Sequence, residues 1–425
     1  HISKDDGESI FKKEVQVIRE KYSNRILIID EVHNIRGADA SKKESRNTIK
    51  YITKVIQYSQ NLKLILLTAN PMFNISTEIV WMLNMLLLND NKTIISDKIF
   101  TEEGDLTSDG TKIVEEKCKG YISYLRGENP VSFPVRLYPT HDQDKIISSD
   151  NSPDINIFGT EINDIDKLSF LKLYSSKLIG RENPSDFPLQ KDVYLNEIQK
   201  YEGFETLQIQ EDNKLLQMSN IVYPCDEIDS EKTYGEDGLL NCFSKKIKGK
   251  SPQFTYKTDE SFLDKDLIGE YSSKIKSILE IVEKSEGIVF IYTNWINAGI
   301  LPLVLALEQN GYAKYDGSEI LNTDDKREPI SYTPYETNEE FVQAKYMVIA
   351  GTQENLTHNL KEELEVLTDE KNKKGKLIKV IIGSKVASEG LDFKCVRSIH
   401  VLEPWHNINK LEQVIGRGIR NCSHT

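Results

Sequence analysis

Short aliphatic runs that stop at polar residues alternate along the chain with stretches whose apolar positions recur every three or four residues. That alternation of period is the signature of strands and amphipathic helices in an α/β fold. The clearest run is Arg25-Ile26-Leu27-Ile28-Ile29-Asp30-Glu31-Val32-His33, four aliphatic residues that give way to two carboxylates. A continuous apolar run suits a strand covered on both faces of a parallel sheet, and ligands of such sheets bind beyond the carboxyl ends of the strands. Asp30 and Glu31 are therefore expected at a functional edge, where one acid can hold Mg²⁺ on nucleotide phosphates and the next can activate water. The alternative is a buried strand capped by a surface acid pair.

Residues 8–22 place Ile10, Phe11, Val15, Val17, Ile18 and Tyr22 at roughly helical spacing before that strand, and 43–59 place Ile49, Ile52, Val55 and Ile56 on one helical face after it. Leu62-Lys63-Leu64-Ile65-Leu66-Leu67 predicts a second strand ending in Thr68-Ala69-Asn70-Pro71. As a parallel neighbour it would set Thr68 beside Asp30, where a hydroxyl can bond the carboxylate; the same four residues also suit a plain turn. Residues 76–88 are more apolar than one helical stripe requires and predict a helix buried on several sides.

Regular alternation resumes near residue 267. Helices are predicted over 272–284, 296–309 and 353–367, and strands over 287–292, 346–350, 378–383 and 398–402, with strands stopping at Thr293-Asn294-Trp295 and Glu403-Pro404-Trp405. A last helix from about 407 would carry Gln413, Arg417 and Arg420 on one face. Between the two regular regions, 141–266 is rich in Asp, Asn, Ser, Glu and Lys with patchy apolar segments, and reads as an insertion or linker. Within it, Phe243-Ser244-Lys245-Lys246-Ile247-Lys248-Gly249-Lys250 interleaves aromatic and basic residues, which suits either a phosphate backbone contact or a solvated surface.

Composition narrows this picture. The 425 residues suffice for two or three domains, and no apolar run reaches bilayer length. A net charge of −13 argues against a generally basic, nucleic-acid-coating surface but not against a local basic groove. Five cysteines (Cys118, Cys225, Cys242, Cys395, Cys422), without a Cys-x-x-Cys pair, read as free thiols of a reducing compartment. The chain opens on His1 without a secretory signal and is expected to be a fragment.

The order and spacing of these pieces resemble superfamily 2 helicases and translocases. Asp30-Glu31-Val32-His33 looks like the DExH form of the Walker B motif, Thr68-Ala69-Asn70 like the Ser/Thr-Ala-Thr motif, and Ser388-Glu389-Gly390-Leu391-Asp392 like motif V. Gln413-x-x-Gly416-Arg417-x-x-Arg420 looks like motif VI and is the most demanding pattern of the set. The stretches around Asp30, over Tyr121-Ile122-Ser123-Tyr124-Leu125-Arg126-Gly127-Glu128-Asn129-Pro130, and over 415–424 are similar to helicase-type proteins of large nucleocytoplasmic DNA viruses. Among these they resemble the small subunits of poxvirus-type early transcription factors and, as cousins, the viral phosphohydrolases of transcription termination.

The resemblance implies two RecA-like domains with parallel sheets, the first incomplete, plus an inserted or linking segment: 1–140, 141–266 and 267–425. It implies ATP and Mg²⁺, with Asp30 holding the metal through water, Glu31 activating the hydrolytic water and His33 linking the site to the domain interface. Thr68, Ala69 and Asn70 would couple the site to motion. Arg417 and Arg420 would reach the γ-phosphate with Gln413 positioning them, and Gly390 and Asp392 would join nucleotide and nucleic-acid sites. The implied partners are nucleic acid, DNA before RNA, a large transcription-factor subunit and the viral RNA polymerase, in host cytoplasm or virion and without a membrane. A promoter-binding factor that uses the fold as a DNA scaffold is the alternative. Two departures matter: Asn70 replaces a usual Thr, and no Gly-x-x-x-x-Gly-Lys-Ser/Thr loop occurs. Only 29 residues precede Asp30, so the chain as given is expected to bind ATP weakly or not at all.

Overall fold

A computed structural model describes residues 4–33, 35, 43–68, 78–101, 105–123, 146–149, 152–158, 209–225, 232–249, 251–335, 340–350, 356–357, 359–384, 391, 393–403 and 408–419. Ala69, Asn70, Gly390, Asp392 and Arg420 lie outside the described residues, as do 124–145. The chain divides into two compact units, His1–Gly127 with Asn407–Asn409, and Glu128–His406 with Lys410–Thr425.

In the first unit, α1 (Lys4–Tyr22), β1 (Ile26–Ile29), α2 (Lys43–Tyr58), β2 (Lys63–Leu66), α3 (Glu78–Asn89) and α4 (Ser108–Cys118) follow in order. Strands β1 and β2 pair in parallel, Ile26 opposite Lys63 through Ile29 opposite Leu66. A parallel pair needs a crossover, and α2 supplies it. Ile56 of α2, Leu62, Leu64 and Met85 of α3 form one small core; Val80, Leu83 and Leu87 of α3 form another with Ile95 and Ile99. Helix α3 therefore serves two cores, which accounts for its uniformly apolar sequence. The run in β1 departs from expectation, because only one of its faces is covered: Ile26 is 62% and Ile28 58% exposed, and Leu67 beyond β2 is 46% exposed. Strand alternation puts Ile26 and Ile28 on one face, while the helices cover the other.

The second unit holds two antiparallel pairs, β3 (Ile146–Ser149) with β4 (Ser152–Phe158), and β5 (Phe243–Lys248) with β6 (Ser251–Tyr256). Helices α5 (Ile209–Asn220) and α6 (Gly235–Cys242) precede β5. Then come α7 (Ser273–Lys284), β7 (Ile288–Tyr292), a π-helical turn at Ile296–Ile300, α8 (Leu301–Gln309), β8 (Ala313–Lys314), β9 (Lys345–Ile349), α9 (Leu360–Leu367), β10 (Val380–Gly383), β11 (Val396–Val401) and α10 (Ile408–Ile415). Five strands form one parallel sheet in the order β11-β7-β10-β9-β8. Here the continuous apolar runs are covered on both sides. Val289 and Ile291 of β7 pack with Ile275, Leu279 and Val282 of α7; Ile288, Phe290 and Tyr292 pack with Leu367, Phe393 and Val414.

The stretch 141–266, set apart on composition, contributes Ile221, Tyr223, Leu239, Cys242, Phe243, Phe254, Phe262 and Leu263 to the same core as β7. Half of these eight are aromatic, and each aromatic ring buries a large area. Among the described residues Cys118, Cys225, Cys242 and Cys395 are free thiols, and no helix is long and apolar enough to cross a membrane.

Helix α8 is buried along its whole length and carries an acid, Glu308, into the interior. Its carboxylate accepts from the backbone N–H groups of Ile320 (3.0 Å) and Leu321 (2.6 Å) and from the Tyr346 hydroxyl. Burial pushes Glu308 up to about 7 even though these bonds pull it down. Burial also pushes Glu363 of α9 up to about 7. A carboxyl whose pKa is raised on folding takes up its proton in the folded state first, so its contribution to stability grows as pH falls through about 7. The unfolding free energy should therefore rise between about pH 8 and 6.5, partly offset by Lys379 and His400, whose burial lowers their pKa to about 8 and about 4 so that the unfolded chain binds their protons first. Urea midpoints at the two pH values check this, and Glu308→Gln should flatten the rise.

Candidate active site

The first cluster is built where β1 ends. Leu67 N donates to Ile29 O at 2.9 Å, so an unbroken parallel ladder would next pair Glu31 N with Leu67 O. Instead Val32 N donates to Leu67 O at 3.1 Å, and Glu31 N turns to Asp30 Oδ1 at 2.9 Å. One extra residue is thus inserted, and Glu31 takes a left-handed backbone with φ of 48°. For a residue with a Cβ this costs about 1–2 kcal/mol. The insertion leaves Asp30 exposed while Val32 and His33 turn into the interior.

Buried His33 joins the two strand ends: its Nδ1 lies 2.8 Å from Thr68 Oγ1 and 3.3 Å from Glu31 Oε2. The Thr68 hydroxyl, expected at Asp30, thus meets His33. Glu31 Oε2 is buried and makes no hydrogen bond of its own among the described residues. A buried acceptor left in this state is costly and marks a place prepared for something else, and a water proton suits it. The donor set also fits Mg²⁺, which takes one or two carboxylates and completes its shell with water and phosphate oxygens. Asp30 supplies such a carboxylate, and among the described residues no three-ligand protein cage competes with it.

In the second unit the sheet's carboxyl edge carries a carboxylate that sequence reasoning passed over. Glu403, just beyond β11, is fully buried; its Oε1 accepts from Thr293 Oγ1 at 2.8 Å and from Asn294 N at 2.7 Å, just beyond β7. Burial raises its pKa, countered mainly by the Thr293 bond. The signal was available: Thr293-Asn294 and Glu403 were read only as strand stops, but adjacent parallel strands bring their stops together.

Gln413 lies in α10, and Arg417 follows in the turn 416–418. This corrects the expectation that Arg417 continues a helical face. The helix stops at Ile415 because Gly416 and Gly418 weaken it; Gly418 is packed so closely that a Cβ there would come 2.8 Å from Ile399 Cδ1. Arg417 is instead fixed by its backbone and side chain: Phe393 N donates to Arg417 O and Arg417 Nη1 donates to Leu391 O, both at 3.3 Å. The structure therefore joins Glu31, His33 and Thr68 within the first unit, and Arg417 with the 391–393 segment within the second.

Comparison with known proteins adds the following likenesses. A family model of the helicase conserved C-terminal domain matches residues 273–422. Two proteins of Acanthamoeba polyphaga mimivirus, each named "Putative ATP-dependent RNA helicase", are 28% and 26% identical over 97% of this chain, covering 37% and 60% of their own lengths. An "Early transcription factor large subunit homolog" of African swine fever virus is 23% identical over 96% of the chain and 36% of that protein. The match within early transcription factors is thus to a large-subunit homolog. The chain spans about a third to three fifths of these relatives.

If the left-handed turn at Glu31 is strain kept for chemistry, Glu31→Gly should relieve it. The variant should gain about 0.5–1 kcal/mol in denaturant unfolding, and unchanged or lowered stability would show that the turn is unstrained.

Proposed function

We propose that this chain is the motor portion of a nucleic-acid-dependent ATPase of helicase superfamily 2 that acts in viral transcription. The observation that carries the reading is the strand-end insertion at Glu31, which holds an unsatisfied carboxylate oxygen beside His33 and Thr68. The helicase C-terminal match over 273–422 supports it independently. Residues 1–140 are read as part of an ATP-binding domain, 267–425 as its partner domain, and 141–266 as a segment that partly joins the latter. The exposed aliphatic face of Ile26 and Ile28 is the kind of surface that helices cover in an ATP-binding α/β domain.

In this mechanism Glu31 Oε2, which makes no hydrogen bond among the described residues, accepts a proton from the attacking water. His33, fixed by Thr68, holds Glu31 in place and reports its state to the end of β2. Asp30 would hold Mg²⁺, which would supply charge neutralisation at the phosphate oxygens. Arg417 and Arg420 supply permanent positive charge to the γ-phosphate, with Gln413 one turn earlier steering Arg417. Gly390 and Asp392 flank Leu391 in the sequence, and Arg417 donates to the Leu391 carbonyl, so a nucleic acid contact made there would be felt by the arginine. Ala69 and Asn70 continue the chain from Thr68 and transmit the same change. The proposed partners are a nucleic acid strand, a large transcription-factor subunit and the polymerase, in an infected cell's cytoplasm or the virion.

The test uses the full-length protein. Arg417→Ala should lower nucleic-acid-stimulated ATP turnover about 10³-fold or more, and Arg417→Lys should recover little because the planar fork is lost. Turnover near wild type in either variant would sink the assignment. Comparing single-stranded DNA with RNA as stimulator in the same assay reads the track.

A further inference from the structure

Residues 243–257 contain Lys245, Lys246, Lys248, Lys250 and Lys257 and no Asp or Glu, in a chain whose net charge is −13. The fold makes this run the hairpin β5–β6, with Phe243 opposite Tyr256, Lys245 opposite Phe254, Lys246 opposite Gln253 and Lys248 opposite Ser251. The two faces differ in their chemistry. One carries Phe243 and Phe254, both buried, beside exposed Lys245 and Ile247, with Lys245 Nζ 5.8 Å from the Phe254 ring centre. The other carries Ser244, Lys246, Lys248, Ser251, Gln253 and Thr255, all polar and none acidic, with Lys246 and Lys248 exposed and Ser251 buried. Lys246 and Lys248 are exposed and form no ion pair among the described residues. Lys257, by contrast, is committed to the Leu240 carbonyl.

The hairpin is also firmly mounted. Phe254 N donates to Ile320 O at 2.7 Å, Asn322 N to Phe254 O at 2.8 Å, and Gln253 Nε2 to Glu319 O at 2.6 Å. The segment it grips is itself held by the buried Glu308 carboxylate on Ile320 N and Leu321 N. Lysines on a rigid strand lose less backbone freedom on binding than lysines on a loop. Edge lysines also keep a strand from pairing with another chain. That role needs only a charge on the edge, not a whole face cleared of carboxylates.

We propose that the solvent face of β5–β6 is a contact surface for the phosphate backbone of the nucleic acid on which the motor acts, with Lys246 and Lys248 as its cations. It rests on the ATPase reading for the identity of the polyanion. The face carries no exposed aromatic ring for base stacking, so the contact is independent of base sequence.

The experiment measures binding of a fluorescein-labelled single-stranded oligonucleotide to the full-length protein by anisotropy, without ATP, across a salt series. For Lys246→Ala with Lys248→Ala, the slope of log affinity against log salt should fall in magnitude by about 1.4, two contacts at about 0.7 each. The wild-type advantage at about 50 mM salt should shrink about sevenfold by 200 mM. Lys371→Ala with Lys373→Ala, removing the same charge from an exposed turn, should leave the slope unchanged. An unchanged slope in the hairpin variant overturns the proposal and leaves the face to an acidic protein or to edge protection. An equal fall in both variants overturns it too, because net charge alone would then account for the effect. Failure of the ATPase reading would show separately, as wild-type protein that binds the oligonucleotide but hydrolyses no ATP with it.

Discussion

Parallel strand pairing is the constraint on which the rest of this structure depends. A parallel ladder delivers every strand's carboxyl end to one edge, so residues distant in sequence arrive side by side without further design. In the first unit it sets Thr68 next to His33, thirty-five positions away, and in the second it sets Thr293 next to Glu403. The first unit adds a local violation to this rule. By skipping Glu31 in the ladder, the chain exposes Asp30, buries His33 and leaves Glu31 with an oxygen that nothing in the described protein satisfies. A strained residue and an unsatisfied acceptor at the same position are two costs that packing alone does not explain.

The two acidic strand ends each keep one buried oxygen without a hydrogen bond among the described residues, and differ in the other oxygen and in exposure. Glu403 is fully buried and gives its Oε1 to a hydroxyl and a backbone N–H, so it ties β7 to β11 ahead of the segment leading to Gln413 and Arg417. Glu31 has a half-exposed side chain and meets only a histidine nitrogen already engaged with Thr68. The first arrangement stiffens an edge; the second leaves a base ready to accept a proton. Glu308 shows a third use, in which a buried carboxylate organises a connection that β6 then extends.

Much of the second unit was legible because its strands are continuous apolar runs flanked by one-faced helices, and Ile288–Tyr292 and Ser273–Lys284 fall close to where periodicity puts them. The edge strand Ala313–Lys314 was not, since two residues carry no period. Nor was the hairpin at 243–256: its outer strand is almost wholly exposed, so lysines hide the alternation that a half-buried strand would show. Asp30 and Glu31 stood out by residue type, whereas the ladder skip between them is a backbone property with no signature in the letters. The end of α10 before Arg417 could have been read from Gly416 and Gly418, but the arginine pattern at 417 and 420 argued for a continuing helix. The open face of β1 escaped for a different reason, because an apolar run announces that cover is needed and not whether it is present.

The most direct measurement of the central claim is ATP retention against ATP turnover in the full-length protein carrying Glu31→Gln. Glutamine keeps the size of the side chain but removes the oxygen able to take a proton. Nucleotide affinity should hold while turnover falls about 10²–10⁴-fold, as expected for loss of a general base. Turnover at the wild-type rate would contradict the account, and so would loss of ATP binding in parallel with turnover.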